Sequence, residues 1–229
     1  MAIRPIFICG NGKNLVEEEK VEFTWYSGFA KVQKQKSIAA LHQEALKKYK
    51  GKIRILEISS KSTELLGTQL SAFNLMIEGK KSDKRFSVEC AFQSSKVFEY
   101  GGPYKDLLLV DSKTAKKDER LKNSGRLIAF KNSGKIWALE PKTMFYDWLY
   151  VNALGQEYNK ELARQVVQYD AFTDIEFNPQ KSINCQARAV ALYVSLYKRG
   201  LLQRVLDDPQ YYVDLVNNKV IENEQIDLF

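Results

Sequence analysis

Residues 88–99 read VECAFQSSKVFE, and this stretch predicts a helix with two different faces. One face is apolar and includes Phe92. On the other face Glu89, Gln93 and Lys96 follow one another at i, i+4 and i+7, a spacing that stacks them along one stripe of an α-helix. The stripe is either a solvated surface or the wall of a site that needs an acid, an amide and an amine together.

The chain as a whole has room for a sizeable core. It has 229 residues, which fits one large domain or two small ones, and it is 45% hydrophobic and 12% aromatic. No apolar run approaches the roughly 20 residues that span a bilayer. The N-terminal MAIRPIFICGNGK lacks the basic leader and long apolar stretch of a signal peptide. We therefore expect a cytoplasmic protein that does not enter a membrane.

Cysteine and histidine usage narrows the possible chemistry. Cys9, Cys90 and Cys185 are odd in number and widely spaced, without a C-x-x-C pair, which argues against a disulfide framework or a zinc ribbon. The single histidine, His42, lies in IAALHQEALKK, a helical pattern rich in Ala and Leu, so we expect a structural role for it. If the protein is an enzyme, its chemistry comes from carboxylates, lysines and amides.

The net charge of +7 is concentrated in clusters of basic residues. These clusters read KVQKQK, KKYKGKIR, GKKSDKR and KTAKKDERLK. Such patches favour polyanions, for example nucleic acid or nucleotide phosphates. They are equally typical of solvated helix faces and turns, so charge alone leaves both interpretations open.

Hydrophobic periodicity predicts an α+β fold, a single, mostly helical domain around a small β-sheet. Strands are predicted at 21–26, 52–59 and 69–77, a helix at 32–50, a turn at 79–84, a hairpin at 126–139 around Asn132-Ser133-Gly134, and helices through most of the chain after Pro141. No internal repeat, linker or low-complexity segment interrupts these elements.

Two further stretches have an unusual polar content. In LEISSKSTELLG, residues 56–67, Lys61 follows a predicted strand in a Ser-rich turn, where a lysine is often only a solvated loop residue. The segment 169–187, YDAFTDIEFNPQKSINCQA, is either a capped turn before a helix or the rim of a pocket. It carries Asp170, Asp174, Glu176, Asn178, Asn184 and Gln186. Rossmann, P-loop, H-E-x-x-H and G-x-S-x-G motifs are absent from the sequence.

The three stretches together resemble the NADAR (YbiA-like) family. Lys61 stands six residues before Gly67, which is the family's spacing, and LSAF, residues 70–73, occupies the place of its Ser-Asn-Phe. The helix beginning VECAFQSSK is in register with the family's E..FQ..K helix, and INCQA is similar to its last motif. The chain departs from the pattern at Ala72, Cys90, Val97 and Arg85, where the family has Asn, His, Phe and Trp.

A closer resemblance is to the NADAR antitoxins paired with DarT-type DNA ADP-ribosyltransferases. It rests on RPIF, QKQKSIAALH, LEISSKS, LSAFNL, FYDWLY and FTDIEFNPQKSINCQA, and it extends to about residue 195. It implies one NADAR-like domain over 1–229, with 1–55 an N-terminal extension packed on the domain, 56–195 carrying the core motifs and 196–229 forming C-terminal helices.

The resemblance implies hydrolysis of an N-glycosidic bond that releases ADP-ribose from guanine in DNA. From the sequence we expect neither a metal nor a redox cofactor. The resemblance also implies Lys61 as nucleophile, through an imine, and Glu89 as acid-base group. Such a lysine must be neutral, and burial beside another ammonium group lowers the pKa of a lysine in this direction. The residues expected to bind substrate and the product ADP-ribose are Ser71, Phe73, Asn74, Phe92, Gln93, Lys96, Asp174, Asn184 and Gln186.

The basic segment KVQKQK leaves two alternatives for its lysines. Lys34 and Lys36 either contact DNA phosphates, or one of them enters the pocket. The expected partners are ADP-ribosylated DNA and a DarT-type toxin. Two rival functions remain open: an N-glycosidase acting on a small nucleotide-pathway riboside, and a non-catalytic module that binds ADP-ribosylated DNA or the toxin.

Overall fold

The computed structural model describes residues 1–10, 12–79 and 84–217 of the chain. In chain order its elements are β1 (Ala2–Cys9), β2 (Val16–Phe23), α1 (Lys31–Lys48), β3 (Ile55–Glu57), α2 (Leu65–Gln69), β4 (Met76–Glu78), β5 (Arg85–Ser87), α3 (Val88–Ser94), β6 (Lys96–Phe98), α4 (Ser112–Lys117), α5 (Arg120–Asn123), β7 (Leu127–Asn132), β8 (Lys135–Trp137), α6 (Met144–Leu154), α7 (Lys160–Val166), β9 (Ala171–Thr173), α8 (Gln186–Lys198), α9 (Leu202–Asp207) and α10 (Pro209–Val216), with 3-10 turns at Lys105–Leu109 and Glu157–Asn159. Among these helices, none combines the length and apolarity needed to cross a membrane.

A four-stranded sheet in the order β2-β1-β9-β3 lies between two helices. Neighbouring side chains on a strand point to opposite faces, and both faces of β1 are apolar. Ile6 packs with Leu41 of α1 on one face, whereas Phe7 belongs to the main core on the other face. On that second face the Cys9 thiol lies 3.7 Å from the carbonyl oxygen of Ala191 in α8. The sheet therefore separates α1 from α8.

The main core is built on α6 and α8, which pack against each other. Phe145 of α6 stacks on Phe130 of β7 with ring centroids 4.6 Å apart, and Phe92 of α3 packs 5.3 Å from Phe130. The second sheet, in the order β6-β7-β8, joins the core through these rings. Buried Asp147 of α6 pairs with Arg188 of α8, so a charge in this core has a partner.

Helix α3 begins with a side-chain cap and is buried along its whole length. The Ser87 hydroxyl accepts a hydrogen bond of 3.1 Å from the backbone N–H of Cys90, which satisfies one of the open donors of the first turn. Every residue of Val88–Ser94 is buried, its polar side chains included. Neither face of this helix is a solvated surface.

The helix predicted over 88–99 is too long, because α3 ends at Ser94. The hydroxyls of Ser94 and Ser95 both donate to the carbonyl oxygen of Ala91, at 3.0 and 2.7 Å. Such side-chain bonds compete with the backbone ladder that would continue the helix. The chain then turns into β6, so Lys96 begins a strand instead of continuing the helical stripe.

The strand predicted at 69–77 is also wrong for most of its length. Residues 65–69 form α2, and the carbonyl oxygen of Ser71 then accepts hydrogen bonds of 2.8 Å from the N–H groups of Asn74 and Leu75. Only β4, at the end of the stretch, is extended, and it pairs with β5. The tight turn at 71–74 outweighs the apolar alternation that predicted a strand.

Other sequence predictions are confirmed. Helix α1 matches the helix predicted at 32–50, and β7 and β8 form the predicted hairpin. Ser133 and Gly134 at its tip have φ angles of 47° and 84°. Positive φ angles at both central residues are typical of two-residue hairpin turns, whose twist matches the right-handed twist of the flanking strands. The α+β class is confirmed. Two predictions fall partly outside the described residues. They are the turn predicted at 79–84, of which 80–83 are not described, and the predicted C-terminal helices, of which 218–229 are not described.

The close approach of α2 to β3 gives a test of the fold. A Cβ atom at Gly67 would lie 1.9 Å from the carbonyl oxygen of Glu57, so Gly67→Ala forces these two elements apart. We expect this overpacking to lower the free energy of unfolding by about 1–3 kcal/mol in urea titrations. Gly12→Ala is the control, since its Cβ would meet nothing within 4 Å. Equal stability of the two variants would contradict this close packing.

Candidate active site

A cavity of about 680 Å³ lies where α3, the second sheet, α6 and the segment before α8 meet. Its volume is in the range typical of small-molecule sites. Its lining residues are Ser59, Ser60, Ser71, Ala72, Phe73, Glu89, Phe92, Gln93, Lys96, Lys116, Leu127, Phe130, Leu139, Glu140, Lys142, Tyr146, Asp174, Glu176, Phe177, Lys181, Ser182, Ile183, Asn184 and Gln186.

Most of the residues predicted from the sequence meet in this cavity, although they come from distant parts of the chain. Those in the lining are Ser71, Phe73, Glu89, Phe92, Gln93, Lys96, Asp174, Asn184 and Gln186. Nearly all of them belong to the turn at 71–74, to helix α3 or to the loop before α8. Hydrogen bonds of Ala72 join the turn to both of the other segments.

Two predicted residues, Lys61 and Asn74, are not in the cavity lining of the described structure. Lys61 follows the lining residue Ser60, is half-buried, and donates its backbone N–H to the Ser59 hydroxyl at 3.1 Å. The exposed Asn74 side chain donates to the carbonyl oxygen of Thr68 at 2.8 Å, which stabilises the turn.

Glu89 presents a buried carboxylate to the cavity from the first turn of α3. Its side chain is 7% exposed, and the helix N-terminus favours a negative charge there. Oε1 accepts a hydrogen bond of 2.9 Å from the Gln93 amide and lies 3.8 Å from the Lys116 ammonium group. The backbone N–H of Glu89 donates to the carbonyl oxygen of Ala72, which ties the helix start to the turn at 71–74. The carboxylate is therefore held in place on the cavity wall.

Lys96 supplies an amine to the same cavity from the first residue of β6. Burial lowers its pKa, the nearby Glu89 carboxylate raises it, and the Lys116 ammonium group lowers it again, with a net lowering. The Lys96 Nζ lies 4.9 Å from the centroid of the Phe92 ring. Burial next to a second ammonium is the environment that favours a neutral, nucleophilic lysine.

Three buried polar atoms in the cavity lining have no hydrogen-bond partner within the described part of the chain. They are the Ser71 hydroxyl, the Gln93 Oε1 atom and the Asn184 Oδ1 atom. A buried polar atom left unpaired costs about 1–3 kcal/mol, so such atoms are rare without a reason. Their common position indicates a ligand that carries hydrogen-bonding groups.

Asp174 anchors the loop that forms one side of the cavity. Its Oδ1 atom accepts hydrogen bonds from the backbone N–H groups of Glu176 and Phe177, at 3.0 and 3.2 Å. Gln186 bonds to Asp174 and also accepts a hydrogen bond of 2.7 Å from the backbone N–H of Ala72. Burial and the neighbouring Glu57 carboxylate raise the pKa of Asp174 well above its ordinary value.

Beneath the cavity floor, buried Glu57 organises a hydrogen-bonded chain. It accepts bonds from the hydroxyls of Ser59 and Thr173, each at 2.6 Å, and from the backbone N–H of Ile175 at 2.8 Å. Because Thr173 donates to Glu57, it accepts a hydrogen bond from His42 Nε2, 2.8 Å away. His42 of α1 thus supports the site from behind and is not in the cavity lining.

Exposed cations and anions form the mouth of the cavity. The cations are Lys116, Lys142 and Lys181, and the anions are Glu140 and Glu176. Sequence reasoning did not select the lysines, because single lysines in basic clusters and turns carry no positional signal. It noted Glu176 only as part of a polar segment. Tyr146, in the FYDWLY stretch, was missed because its helix reads as uniformly apolar; its ring meets Phe92 edge-on at 5.1 Å.

The two lysines predicted to contact DNA occupy different environments. Lys34 Nζ pairs with Glu176 at 3.4 Å and lies 4.7 Å from the Trp25 ring centroid, so it links α1 to the cavity mouth. Lys36 is exposed on α1. Neither lysine is in the cavity lining.

Comparison with models of protein families identifies the family of this chain. A family model described as DarT1-associated NADAR antitoxin matches residues 2–226, nearly the whole chain. No curated protein matches the sequence.

The single histidine provides a pH test of the network behind the site. Desolvation lowers the pKa of His42 from 6.5 to about 4. As the pH falls through this interval the unfolded chain takes up a proton before the folded protein does, so stability is lost. Between pH 7.5 and 4.5 we expect wild type to lose about 2 kcal/mol more unfolding free energy than His42→Gln. Urea titrations at both pH values measure the difference; equal losses would contradict a desolvated His42.

Proposed function

This chain belongs to the family of DarT1-associated NADAR antitoxins, and from that premise we propose that it is a glycohydrolase that removes ADP-ribose from guanine bases of DNA. The observation that carries the proposal is the presence of a buried carboxylate, Glu89, and a half-buried amine, Lys96, in one cavity. Cleavage of an N-glycosidic bond needs a proton donor for the leaving amine and a group that stabilises or captures the anomeric carbon.

Glu89 is the proposed acid-base group. The guanine amine leaves as the bond to the anomeric carbon breaks, and it needs a proton at that moment. Glu89 is fixed by Gln93 and faces the cavity, so it is placed to pass a proton to the leaving amine and afterwards, as a carboxylate, to activate water.

A lysine amine is the proposed nucleophile. It bonds to the anomeric carbon as the guanine amine departs with the proton from the acid. The sugar ring then opens, its ring oxygen taking a proton from the nitrogen, and an imine forms. Water hydrolyses the imine, which regenerates the lysine and releases ADP-ribose. This sequence requires an uncharged amine at the start.

Two lysines compete for this role. Lys96 is favoured by its position in the cavity, its lowered pKa and the adjacent Lys116 ammonium group. Lys61 is favoured by its place in the family motif and by its neighbours Ser59 and Ser60, which line the cavity. We propose Lys96 as the nucleophile, with Lys61 as the second candidate.

The rest of the cavity suits ADP-ribose, the proposed product. The rings of Phe92, Phe130 and Tyr146 offer an apolar wall for a base or sugar. The unpartnered Ser71, Gln93 and Asn184 atoms offer hydrogen bonds to hydroxyl or amine groups, and the lysines at the mouth offer charge to a pyrophosphate. Phe73, Asp174 and Gln186 complete the proposed binding residues, while Asn74 acts through the 71–74 turn.

The rival functions differ in measurable ways. An N-glycosidase for a small nucleotide-pathway riboside would act on the free riboside in preference to modified DNA. A non-catalytic module would bind ADP-ribosylated DNA, or a DarT-type toxin, without releasing ADP-ribose. The basic character of the chain and its clusters favours the DNA substrate.

Removal of the acid tests the proposed function directly. Glu89→Gln keeps the hydrogen-bonding shape of the side chain but cannot transfer a proton, and we expect release of ADP-ribose from guanine-modified DNA to fall about 10²–10⁴-fold. Glu161→Gln, an exposed carboxylate on α7, is the control and should retain wild-type release. No release by wild type, with binding retained, would instead support the non-catalytic module.

Reductive trapping identifies the nucleophile. Borohydride added during turnover converts an imine to a stable secondary amine, and peptide mass analysis locates the modified lysine. We expect the adduct on Lys96 and its loss in Lys96→Met, while Lys61→Met remains trappable. An adduct on Lys61 would transfer the role to that residue. Wild-type turnover without any adduct would contradict an imine pathway.

A further inference from the structure

We propose that Phe29 and the loop around it stack on a base of the DNA strand beside the modified guanine, next to the cavity mouth. This inference rests on the proposed function and adds a substrate contact outside the cavity. It follows from the exposure of Phe29, the way its loop is anchored, the neighbouring charges and the connection of the loop to the cavity.

Phe29 is the most exposed large apolar side chain among the described residues. Its relative exposure is 101%, higher than that of a terminal methionine such as Met1 at 81%. It follows Gly28, whose φ angle of 126° permits a sharp turn that lifts the next residue away from the protein. Tyr26 in the same loop is also exposed. Phe29 and Tyr26 thus present aromatic rings to solvent on which a nucleic-acid base can stack.

The base of this loop is anchored, so the ring projects from a fixed position. The backbone N–H of Tyr26 donates to the Ser37 hydroxyl at 3.0 Å, and buried Ser37 belongs to α1. The Trp25 ring contacts two cations, with Arg4 5.2 Å and Lys34 4.7 Å from its ring centroid. These contacts tie the start of the loop to β1 and α1.

The loop is linked to the cavity mouth by Lys34. Its ammonium group, 3.4 Å from the Glu176 carboxylate, connects α1 with a lining residue of the cavity. Lys34 also contacts Trp25, only four residues before Phe29. A strand whose modified base enters the cavity would therefore pass close to Phe29.

The charges around Phe29 favour a polyanion. Lys31 and Lys36 are exposed on the first two turns of α1, and the first turn contains no acidic residue. The N-terminus of this 18-residue helix adds a positive partial charge in the same place. An exposed ring among cations suits nucleic acid, because bases stack on aromatic rings while phosphates contact lysines. A purely apolar protein partner would leave these cations unpaired.

Binding of unmodified single-stranded DNA tests the contact without any requirement for hydrolysis. Stacking on one aromatic side chain predicts that Phe29→Ala weakens the affinity about 5- to 150-fold at fixed salt, measured by fluorescence anisotropy. Phe29→Trp should retain wild-type affinity. The control is Tyr197→Ala, which removes an exposed ring from α8 on the opposite face of the sheet. Equal affinity of Phe29→Ala and wild type would overturn the proposal.

Turnover on two substrates separates this inference from the proposed function. Phe29→Ala should raise KM for an ADP-ribosylated oligonucleotide and leave KM unchanged for ADP-ribosylated guanosine, which has no neighbouring base. Equal effects on both substrates would overturn a contact to the flanking strand. If wild type releases no ADP-ribose from either substrate, the proposed hydrolase fails, and the binding assay alone decides the role of Phe29. Loss of toxin binding with unchanged DNA affinity would assign the loop to a protein partner and overturn the proposal.

Discussion

The Glu57 carboxylate, buried where β3 ends, holds together the parts of the protein that form the cavity. Its hydrogen bonds to Ser59, Thr173 and Ile175 join two segments that are more than a hundred residues apart in sequence. Burial raises the pKa of Glu57, and these three donors oppose the shift because they stabilise the charged form. One group thus fixes the loop that begins at Ser59 and the backbone that leads into Asp174.

The second constraint is the short, buried helix α3. Its polar residues are tolerated inside the protein because each serves the site: Glu89 is held by Gln93 and Lys116, and the open Gln93 Oε1 atom faces the cavity. The serines that end the helix redirect the chain into β6, and this turn brings Lys96 to the same cavity. Acid and amine are therefore placed by one capped helix and its abrupt end.

Sequence reasoning reached much of this arrangement but misassigned several elements. It predicted α1, the β7–β8 hairpin and the α+β class, since these depend on local periodicity and turn residues. It failed at 69–77 and at 95–99, where side-chain hydrogen bonds and packing outweigh the local pattern. The lysines at the cavity mouth carry no local signal, because a mouth exists only after distant segments have folded together.

By itself, the sequence determined the family motifs and the positive charge. It also determined that an acid, an amide and a lysine, namely Glu89, Gln93 and Lys96, follow one another at a helical spacing. These are properties of order and composition. Only the tertiary structure decided that Lys96 lines the cavity while Lys61 lies just outside its lining, that Lys34 pairs with Glu176, and that Phe29 projects into solvent. The physical reason is that burial, pKa and ion pairing depend on neighbours from other segments, which spacing along the chain does not specify.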